Sequence, residues 1–392
     1  MASCFEQEGS LFNFVVREGN GVKGLLDLGI SKVPDQYIHP LNERIPEPSI
    51  DCQQYLQHAA PIDLSLLDGP SHDQAAEAIV KAAESVGFFQ VVNHGVPIQV
   101  LESLTDSAHR FFGQPAEKKA VYLKGVSPSP LVKYATSFEP DYEKSLEWRD
   151  YVSMAYTTDE DALKHWPNHC KEAALEYVKT TRRMVEKILE VLIGHLQGVK
   201  ADDDNYQSRV VELVDALTGV RVVNMNFYPR CPNPDLTVGV GRHSDSGTLT
   251  VLLQDGIGGL YIKLEDEDED EQDHQHKDEA TAGIKKPQWM EVPPIPGALV
   301  INIGDTLEIL SNGMYKSIEH RVRTTSLQSR VSIPLFTAPL QTHKIGPLPQ
   351  LVDRDRKARY RDLVFQDYLN YYFMNAHEGK KSLDYAKITS LQ

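Results

Sequence analysis

Three side chains in this sequence have the types and the order expected of a metal-binding triad. His243 and Asp245 are separated by one residue, and His320 follows in a later segment. Two histidines and one carboxylate can occupy one face of an iron ion, and the opposite face then stays open for a substrate and for oxygen. The triad therefore indicates an oxidative enzyme rather than a simple binding module.

A second group of residues could bind the carboxylate of a ligand. Residues 330–337 alternate in a way that predicts a strand, so that successive side chains point to opposite faces. Arg330, Ser332 and Phe336 share one face, and three aliphatic residues share the other. An inward arginine needs an anionic partner, because an unpaired buried charge is strongly unfavourable. That partner is either a structural carboxylate of the protein or a dicarboxylate ligand.

The same alternation places further polar side chains near the triad. In the predicted strand 220–228, Asn224, Asn226 and Tyr228 share one face and lie opposite an apolar set. In the predicted strand around His320, the imidazole falls on the apolar and therefore inward face. Two polar strand faces beside a metal triad predict a lumen that binds a small molecule.

The net charge of −16 is concentrated in one segment. Residues 265–279 hold ten acids and one lysine, a net charge of −9, which leaves −7 for the rest of the chain. Residues 265–286 have almost no apolar side chains, so we interpret them as a solvated loop inserted between two strands. A second His-x-Asp, at His276, lies in this loop, and we expect no metal site there. Neither nucleic acid nor an anionic membrane is an expected partner, because both attract basic patches.

The compartment is indicated by the N-terminus and the cysteines. The first residues have no basic and apolar pattern of a secretory signal, and no apolar run reaches the ~18 residues that a membrane span needs. The four cysteines lie far apart in the sequence and form no disulfide pattern. These features predict a cytoplasmic protein with reduced thiols.

Periodicity predicts a mixed α+β architecture in three regions. Residues 1–215 are expected to be mostly helical, 216–342 to form a sandwich or jelly roll of short strands, and 343–392 to be a helical C-terminal segment. The predicted helices are 74–86, 98–112, 171–197 and 358–373. The predicted strands are a short one within 87–97 that ends in a turn at His94-Gly95, and 220–228, 247–253, 259–264, 288–292, 297–303, 316–323 and 330–337.

One motif suggests a nucleotide site and is rejected. Gly19 to Gly24 matches the glycine pattern G-x-G-x-x-G, which binds dinucleotides only within a strand–helix–strand unit. Pro34 and Pro40 follow and no such unit is present, so the match is accidental.

Several longer motifs resemble the plant 2-oxoglutarate- and Fe(II)-dependent dioxygenases across almost the full length of the chain. They are Gly-Phe-Phe-Gln-Val-Val-Asn-His-Gly-Val (87–96), Asn-Phe-Tyr-Pro-Arg-Cys-Pro (226–232), Val-Gly-Arg-His-Ser-Asp (240–245), Asn-Ile-Gly-Asp (302–305) and the residues from His320 to Ser332. Segments such as Leu-Glu-Trp-Arg-Asp-Tyr (146–151) resemble the coumarin-forming branch of the family. The acidic insertion departs from the family pattern.

The resemblance implies a double-stranded β-helix flanked by helices. It also implies roles for individual residues, with Fe(II) held by His243, Asp245 and His320. The cosubstrate 2-oxoglutarate is expected to bind Arg330 and Ser332, with support from Tyr228 and Asn226. O2 is the oxidant, and ascorbate is the expected reductant. The expected substrate pocket includes Phe336, Tyr134 and Phe138.

The resemblance further implies hydroxylation of a small aromatic substrate by a monomer. In the coumarin-forming branch, one activity is 8-hydroxylation of scopoletin to fraxetin, and the motifs favour this one. The other is ortho-hydroxylation of feruloyl-CoA or coumaroyl-CoA, which stays open as the alternative. A third possibility from another class is a non-catalytic binding protein on the same fold, although such a protein has no need of open metal positions.

Overall fold

The computed structural model describes residues 9–45, 60–198, 205–264, 288–375 and 379–388. Its strands are β1 Ile62–Asp63, β2 Phe88–Val92, β3 Val132–Thr136, β4 Asp150–Tyr156, β5 Val220–Tyr228, β6 Val240–His243, β7 Leu249–Gln254, β8 Leu260–Leu264, β9 Gln288–Glu291, β10 Leu299–Ile303, β11 His320–Val322, β12 Arg330–Ala338, β13 Lys344–Ile345 and β14 Leu363–Val364. Its α-helices are α1 Ser10–Phe12, α2 Gly21–Asp27, α3 His72–Ser85, α4 Ile98–Phe112, α5 Ala116–Ala120, α6 Asp159–His165, α7 Lys171–Gln197, α8 Tyr206–Leu217, α9 Asp305–Leu310, α10 Pro349–Asp355, α11 Phe365–Met374 and α12 Lys381–Asp384. Other helical turns cover Asn13–Arg17, Asp35–Tyr37, Leu64–Asp68 and Pro234–Leu236.

The eight strands from β5 to β12 form the centre of the fold. The larger sheet has the order β1-β2-β10-β7-β12-β5-β4-β3, and the smaller sheet has the order β6-β11-β8-β9. Phe88 and Val300 of the larger sheet pack against Leu260 and Ile262 of the smaller one, so the sheets face each other. This arrangement is a double-stranded β-helix, or jelly roll, and it confirms the expected mixed α+β fold.

Helices cover the outer face of the larger sheet. Val331, Ile333 and Leu335 of β12 are buried in one apolar cluster with side chains of α4 and α7. Because side chains alternate along a strand, this packing turns Arg330 and Ser332 toward the inside of the jelly roll. Within the described ranges, no helix combines the length and the apolar character that crossing a bilayer requires.

The prediction of a mostly helical region before residue 216 was incomplete. Val132–Thr136 and Asp150–Tyr156 are strands, and they extend the larger sheet next to β5. Short strands of this kind are stabilised by their neighbours in the sheet rather than by local propensity. The division at residues 215 and 342 therefore stays a proposal about sequence regions.

Two predicted elements are shorter than expected. The strand predicted at 316–323 is limited to His320–Val322, since the amide and hydroxyl of Ser317 donate to Glu308 (2.6 Å) and Asp305 (2.7 Å) of α9 instead. The helix predicted at 358–373 begins only at Phe365, because the residues before it form β14, which pairs with β13. Strand β6 and helix α8 were not predicted.

The acidic insertion 265–286 and its His276 lie outside the described residues. The strands on either side of it, β8 and β9, pair with each other in antiparallel register, with Leu264 opposite Gln288. The insertion therefore connects the adjacent ends of two neighbouring strands of the smaller sheet.

A glycine-rich turn near the N-terminus attaches the first helices to the jelly roll. Asp150 of β4 accepts hydrogen bonds from the backbone N–H groups of Val22 (2.7 Å) and Lys23 (2.8 Å) at the start of α2. Gly21 has a φ of +67°, and a Cβ at this position would clash with the Asp150 carboxylate. The G-x-G-x-x-G match thus serves close packing against a strand and forms no nucleotide site.

We expect Gly21→Ala to lower the midpoint of thermal unfolding more than Gly29→Ala does. Both glycines have positive φ, +67° and +68°, so each alanine incurs a backbone cost of about 1–3 kcal/mol. Only at Gly21 does the added Cβ also meet a buried carboxylate, whereas nothing lies within 4 Å of it at Gly29. Calorimetry on both variants measures the difference, and equal shifts would contradict a structural role for the Gly21–Asp150 contact.

Candidate active site

The three residues of the predicted metal triad lie together at one end of the jelly roll. His243 ends β6 and His320 begins β11, and the two residues are opposite each other in the antiparallel pair. Asp245 follows β6 by two residues. Its Oδ1 atom lies 3.7 Å from the Nε2 atom of each histidine, and the imidazole centroids are 4.2 Å apart. One ligand atom from each residue falls within 4.8 Å of the others, which is suitable for a single metal ion.

Backbone carbonyls orient both imidazoles. His243 Nδ1 lies 2.9 Å from the carbonyl oxygen of Gly241, and His320 Nδ1 lies 3.3 Å from that of Ile318. A carbonyl oxygen only accepts hydrogen bonds, so each Nδ1 carries the proton and donates it. In this tautomer the Nε2 atoms, which face Asp245, carry the lone pairs that metal ligands need.

The carboxylate of Asp245 is oriented by two donors. Its Oδ2 atom accepts hydrogen bonds from the Thr250 hydroxyl (2.6 Å) and from the Asn302 side-chain amide (2.7 Å). These bonds leave Oδ1 directed at the two histidines. Thr250 and Asn302 lie on the adjacent strands β7 and β10 and face each other across the sheet. Residues of the larger sheet therefore orient Asp245, which lies in the turn after β6.

The protonation states of His243 and Asp245 favour the binding of a metal cation. Burial, helped by the neighbouring His320, lowers the pKa of His243 to about 4, so this imidazole is neutral near pH 7. Burial alone would raise the pKa of Asp245, but the two imidazoles and the hydrogen bonds from Thr250 and Asn302 lower it overall. A neutral imidazole and an ionised carboxylate are the forms that bind a divalent metal ion.

The turn that carries the triad is anchored to the C-terminal part of the chain through Asp305. Its carboxylate accepts hydrogen bonds from Ser244 (3.2 Å), Ser317 (2.7 Å) and Tyr368 of α11 (2.6 Å), and its amide donates to the carbonyl of Asp245 (2.7 Å). Burial raises the pKa of Asp305 to about 7. Through these contacts Ser317, which precedes His320, and Ser244, which follows His243, are both held by the buried carboxylate of Asp305.

We expect Thr250→Val to weaken metal binding without unfolding the protein. Valine keeps the shape of threonine but cannot donate to Asp245, and losing such a support typically weakens metal affinity about tenfold or more. The measurement is the concentration of Fe(II) required for half-maximal turnover. Thr180→Val on the outer helix α7, where the hydroxyl donates to the backbone carbonyls of Glu176 (2.8 Å) and Tyr177 (3.3 Å), is the control. An unchanged iron requirement in Thr250→Val would contradict the orienting role.

Arg330 is buried on the inward face without a carboxylate partner. Only 1% of the residue is exposed. Its guanidinium donates to the carbonyl of Ile257 (3.2 Å) and to Gln254 Oε1 (2.9 Å), and it lies 5.1 Å from the centroid of the Tyr228 ring. All three partners are uncharged, no ion pair with Arg330 occurs among the described residues, and the Nη1 atom has no partner. The structure thus excludes a structural Asp or Glu within its described part and favours an anionic ligand.

Two hydroxyl groups lie beside this guanidinium. Ser332 and Tyr228 are 3.5 Å apart, at the outer limit of a hydrogen bond, and Tyr228 is opposite Arg330 in the pair of β5 and β12. A planar guanidinium with a free N–H group and two hydroxyl donors next to it matches the acceptor pattern of a carboxylate. The residues present therefore fit the distal carboxylate of 2-oxoglutarate.

Comparisons with known proteins identify the family of the chain. The sequence model of the 2OG-Fe(II) oxygenase superfamily matches residues 219–339, and that of the non-haem dioxygenase N-terminal region, named for morphine synthesis, matches 61–173. The chain is 55% identical to scopoletin 8-hydroxylase of Arabidopsis thaliana, over 99% of both chains. It is 43% identical to feruloyl CoA ortho-hydroxylase 1 of the same plant, over 99% of both.

The chain belongs to the 2OG-Fe(II) oxygenase superfamily. It is accordingly an Fe(II)- and 2-oxoglutarate-dependent dioxygenase of the plant type. A crystal structure of JOX2 in complex with 2OG, Fe and JA superposes with a TM-score of 0.75 at 29% identity, covering 94% of this chain and 97% of that one. The rice dioxygenase for auxin oxidation, at 22% identity and a TM-score of 0.64, shares the fold.

The dioxygenase brings two of the three predicted pocket residues to accessible positions. Phe336 is half-buried and lies opposite Thr250 in the pair of β12 and β7. It is therefore next to one of the two residues that orient Asp245. Phe138 stacks on Phe373 of α11 at 5.8 Å between centroids. Their contact with a substrate stays a prediction.

The placing of Tyr134 in the substrate pocket was wrong. This tyrosine is opposite Val152 in the pair of β3 and β4, and its ring packs on Phe111 of α4, with centroids 5.8 Å apart. It therefore faces the helical layer, whereas its neighbours in the sequence, Lys133 and Ala135, lie on the same side of the sheet as Asn226 and Ser332. The error arose because β3 was not recognised as a strand, and its alternation was therefore not used.

Sequence reasoning also missed a charged pair on the inward face of the dioxygenase. Arg149, next to β4, forms an ion pair with Glu147 (2.6 Å) and donates to Asn226 Oδ1 (3.2 Å). Glu147 in turn accepts a hydrogen bond from the backbone amide of Gly241 (2.8 Å), two residues before His243. Asn226 is thus engaged by a protein side chain rather than directed freely at a ligand. The alternation in Leu-Glu-Trp-Arg-Asp-Tyr was the available signal.

Proposed function

We propose that this dioxygenase hydroxylates a coumarin ring and acts as a scopoletin 8-hydroxylase. The observation that carries the proposal is the 55% identity to scopoletin 8-hydroxylase over 99% of both chains, against 42–44% for the feruloyl-CoA ortho-hydroxylases. The two groups match over comparable lengths of the chain, so their identities can be compared directly. Scopoletin is a flat and largely apolar molecule, and it is suited to an aromatic-lined lumen.

In this proposal, His243, Asp245 and His320 hold Fe(II). The two Nε2 atoms and the Asp245 carboxylate are the donor set that such an ion accepts. The bound metal would supply the oxidative chemistry in which 2-oxoglutarate, O2 and substrate yield succinate, CO2 and the hydroxylated product. The protein's task is to orient Asp245 through Thr250 and Asn302.

Arg330 and Ser332 bind the distal carboxylate of 2-oxoglutarate in the proposed complex, and Tyr228 supports them. The free Nη1 atom of Arg330 donates to the carboxylate, and the hydroxyl groups of Ser332 and Tyr228 supply two further donors. Asn226 acts indirectly, because it positions Arg149 beside the cosubstrate. Phe336 and Phe138 provide aromatic walls for the substrate.

We further infer a monomer that works in the cytoplasm with ascorbate as the reductant of iron. Cys170 and Cys231 are buried free thiols, which supports a reducing compartment. Gel filtration with light scattering would test the monomer. Omitting ascorbate from the assay would test the reductant.

Ortho-hydroxylation of feruloyl-CoA or coumaroyl-CoA is the second candidate, supported by 43–44% identity to enzymes with these names. The deciding experiment incubates the purified protein with Fe(II), ascorbate and 2-oxoglutarate, with scopoletin and with feruloyl-CoA in parallel. Fraxetin formed in step with succinate from scopoletin supports the proposal. Exclusive turnover of the acyl-CoA would refute it, and binding of scopoletin without turnover would support the non-catalytic alternative.

A further inference from the structure

A lysine lies on the inward face of the larger sheet, in line with the cosubstrate residues. The strand registers place Ala135, Tyr151, Asn226 and Ser332 side by side on β3, β4, β5 and β12. Residues two positions apart along a strand share a face. The neighbouring row on this face is therefore Lys133, Ser153 and Asn224, which are opposite one another in the same registers.

The ammonium group of Lys133 has no ionic partner. Its Nζ atom lies 5.9 Å from the centroid of the Tyr151 ring, and the described residues provide it with neither a hydrogen bond nor an ion pair. Burial is the largest cause that lowers its pKa, and Lys124 and Arg149 lower it further, while Glu139 opposes them. Lys133 is half-buried, and a cation that is partly removed from water without a counter-ion is unfavourable unless a ligand supplies one.

The acidic groups near Lys133 are already engaged by other cations. Glu139 forms an ion pair with Lys124 (2.6 Å), and Glu147 forms one with Arg149 (2.6 Å). Arg149 also lies on the Tyr151 ring, with its Cζ atom 5.0 Å from the centroid. Lys133 is therefore the member of this group whose charge is left for a bound molecule.

Unsatisfied polar atoms on the same face also indicate a ligand. The Oδ1 atom of Asn224 is buried without a hydrogen-bond partner, in the same row as Lys133. The buried Tyr151 ring lies next to both Lys133 and Arg149 on this face. An ammonium group, an unpaired amide oxygen and an aromatic ring together suit a planar phenol, which combines a flat apolar ring with a polar edge.

We propose that the ammonium group of Lys133 donates a hydrogen bond to the oxygen of the phenolic hydroxyl of the aromatic substrate, and so determines which edge of the ring faces the metal triad. The inference rests on the proposed function and names the group that recognises the substrate. In scopoletin the free hydroxyl is on the carbon next to the one that is hydroxylated. A charge-assisted hydrogen bond at that oxygen therefore fixes the position of the reacting carbon. Tyr151 supports the ring, and Asn224 accepts a hydrogen bond at the same edge.

The test compares Lys133→Met and Lys133→Arg on scopoletin and on its 7-O-methyl ether. Methionine keeps an unbranched stem without the charge, and arginine keeps the charge. We expect Lys133→Met to lower kcat/KM for scopoletin about tenfold or more, because a charge-assisted hydrogen bond is lost. The kcat/KM of the same variant for the ether should change by about twofold or less. Lys133→Arg should retain most of the preference for scopoletin. The KM for 2-oxoglutarate should stay at the wild-type value in both variants.

Lys179→Met on the outer surface, where the lysine pairs only with Asp159 (2.5 Å), is the control. An equal loss on scopoletin and on its ether in Lys133→Met would overturn the assignment, since it would reflect packing rather than recognition of the phenol. If the wild type accepts feruloyl-CoA and not scopoletin, the proposed function is refuted, but the role of Lys133 in recognising the phenol can still be tested. The same variants are then compared on feruloyl-CoA and its 4-O-methyl ether, where equal losses again overturn the role of Lys133.

Discussion

An Asp245→Ala enzyme is expected to lose at least ~99% of its turnover and to stay folded. In the proposed site the carboxylate is the anionic ligand of the metal, and its Oδ1 atom lies 3.7 Å from both histidine Nε2 atoms. Without it, only the two imidazoles remain, and removing groups that merely support a ligand already costs about 10–100-fold in affinity. His243→Ala and His320→Ala should have the same effect, because strands β6 and β11 shape the site before any metal binds.

Fold and function are separated by two measurements on these variants. Circular dichroism should give unfolding midpoints close to the wild type, while succinate production and stoichiometric metal binding are lost. His169→Ala, an exposed histidine between α6 and α7, serves as the control and should keep full activity. A His320→Ala enzyme with wild-type turnover would exclude His320 as a ligand.

The second large effect is expected for Arg330→Lys, which should raise the KM for 2-oxoglutarate at least about tenfold and leave the iron requirement nearly unchanged. Lysine keeps the charge but loses the planar fork that donates to Ile257, to Gln254 and to a ligand at the same time. A hydrogen bond to a charged group contributes about 1.5–3 kcal/mol, and about 1.4 kcal/mol corresponds to a factor of ten.

Titrating activity against 2-oxoglutarate at saturating substrate measures this effect directly. Arg183→Lys on the surface of α7, where the arginine pairs with Glu190 (2.9 Å), is the matched control and should leave the titration unchanged. Ser332→Ala should act in the same direction as Arg330→Lys but more weakly, because it removes one uncharged donor. An unchanged 2-oxoglutarate curve in Arg330→Lys would refute the assignment of the cosubstrate site.

The inward and outward faces of β12 could be predicted because the alternation of a strand is a local property. The aliphatic residues Val331, Ile333 and Leu335 specify the buried outer face, so Arg330 and Ser332 must point the other way. The three triad residues were recognisable for a similar reason. Their chemical types and their positions next to strands restrict them to one class of metal site.

The orientation of the triad could not be predicted, because it depends on residues that are distant in the sequence. Thr250 and Asn302 bind Asp245 only because β7 and β10 are neighbours in the larger sheet. Asp305 joins Ser317 and Tyr368 for the same reason. The order of strands in a sheet is decided by packing between sheets and helices, and no short motif encodes it.

The inward face of β3 and β4 shows the same division between local pattern and tertiary structure. The sequence by itself predicted the family, the jelly roll, the three residues that the structure brings together as a candidate metal site, and the shared strand face of Arg330 and Ser332. Only the tertiary structure decided that Tyr134 belongs to the core, while Lys133 lies on the opposite side of the sheet. A strand of five residues such as β3 is stable only when a neighbouring strand pairs with it, and the register of that pairing determines which side chains point inward.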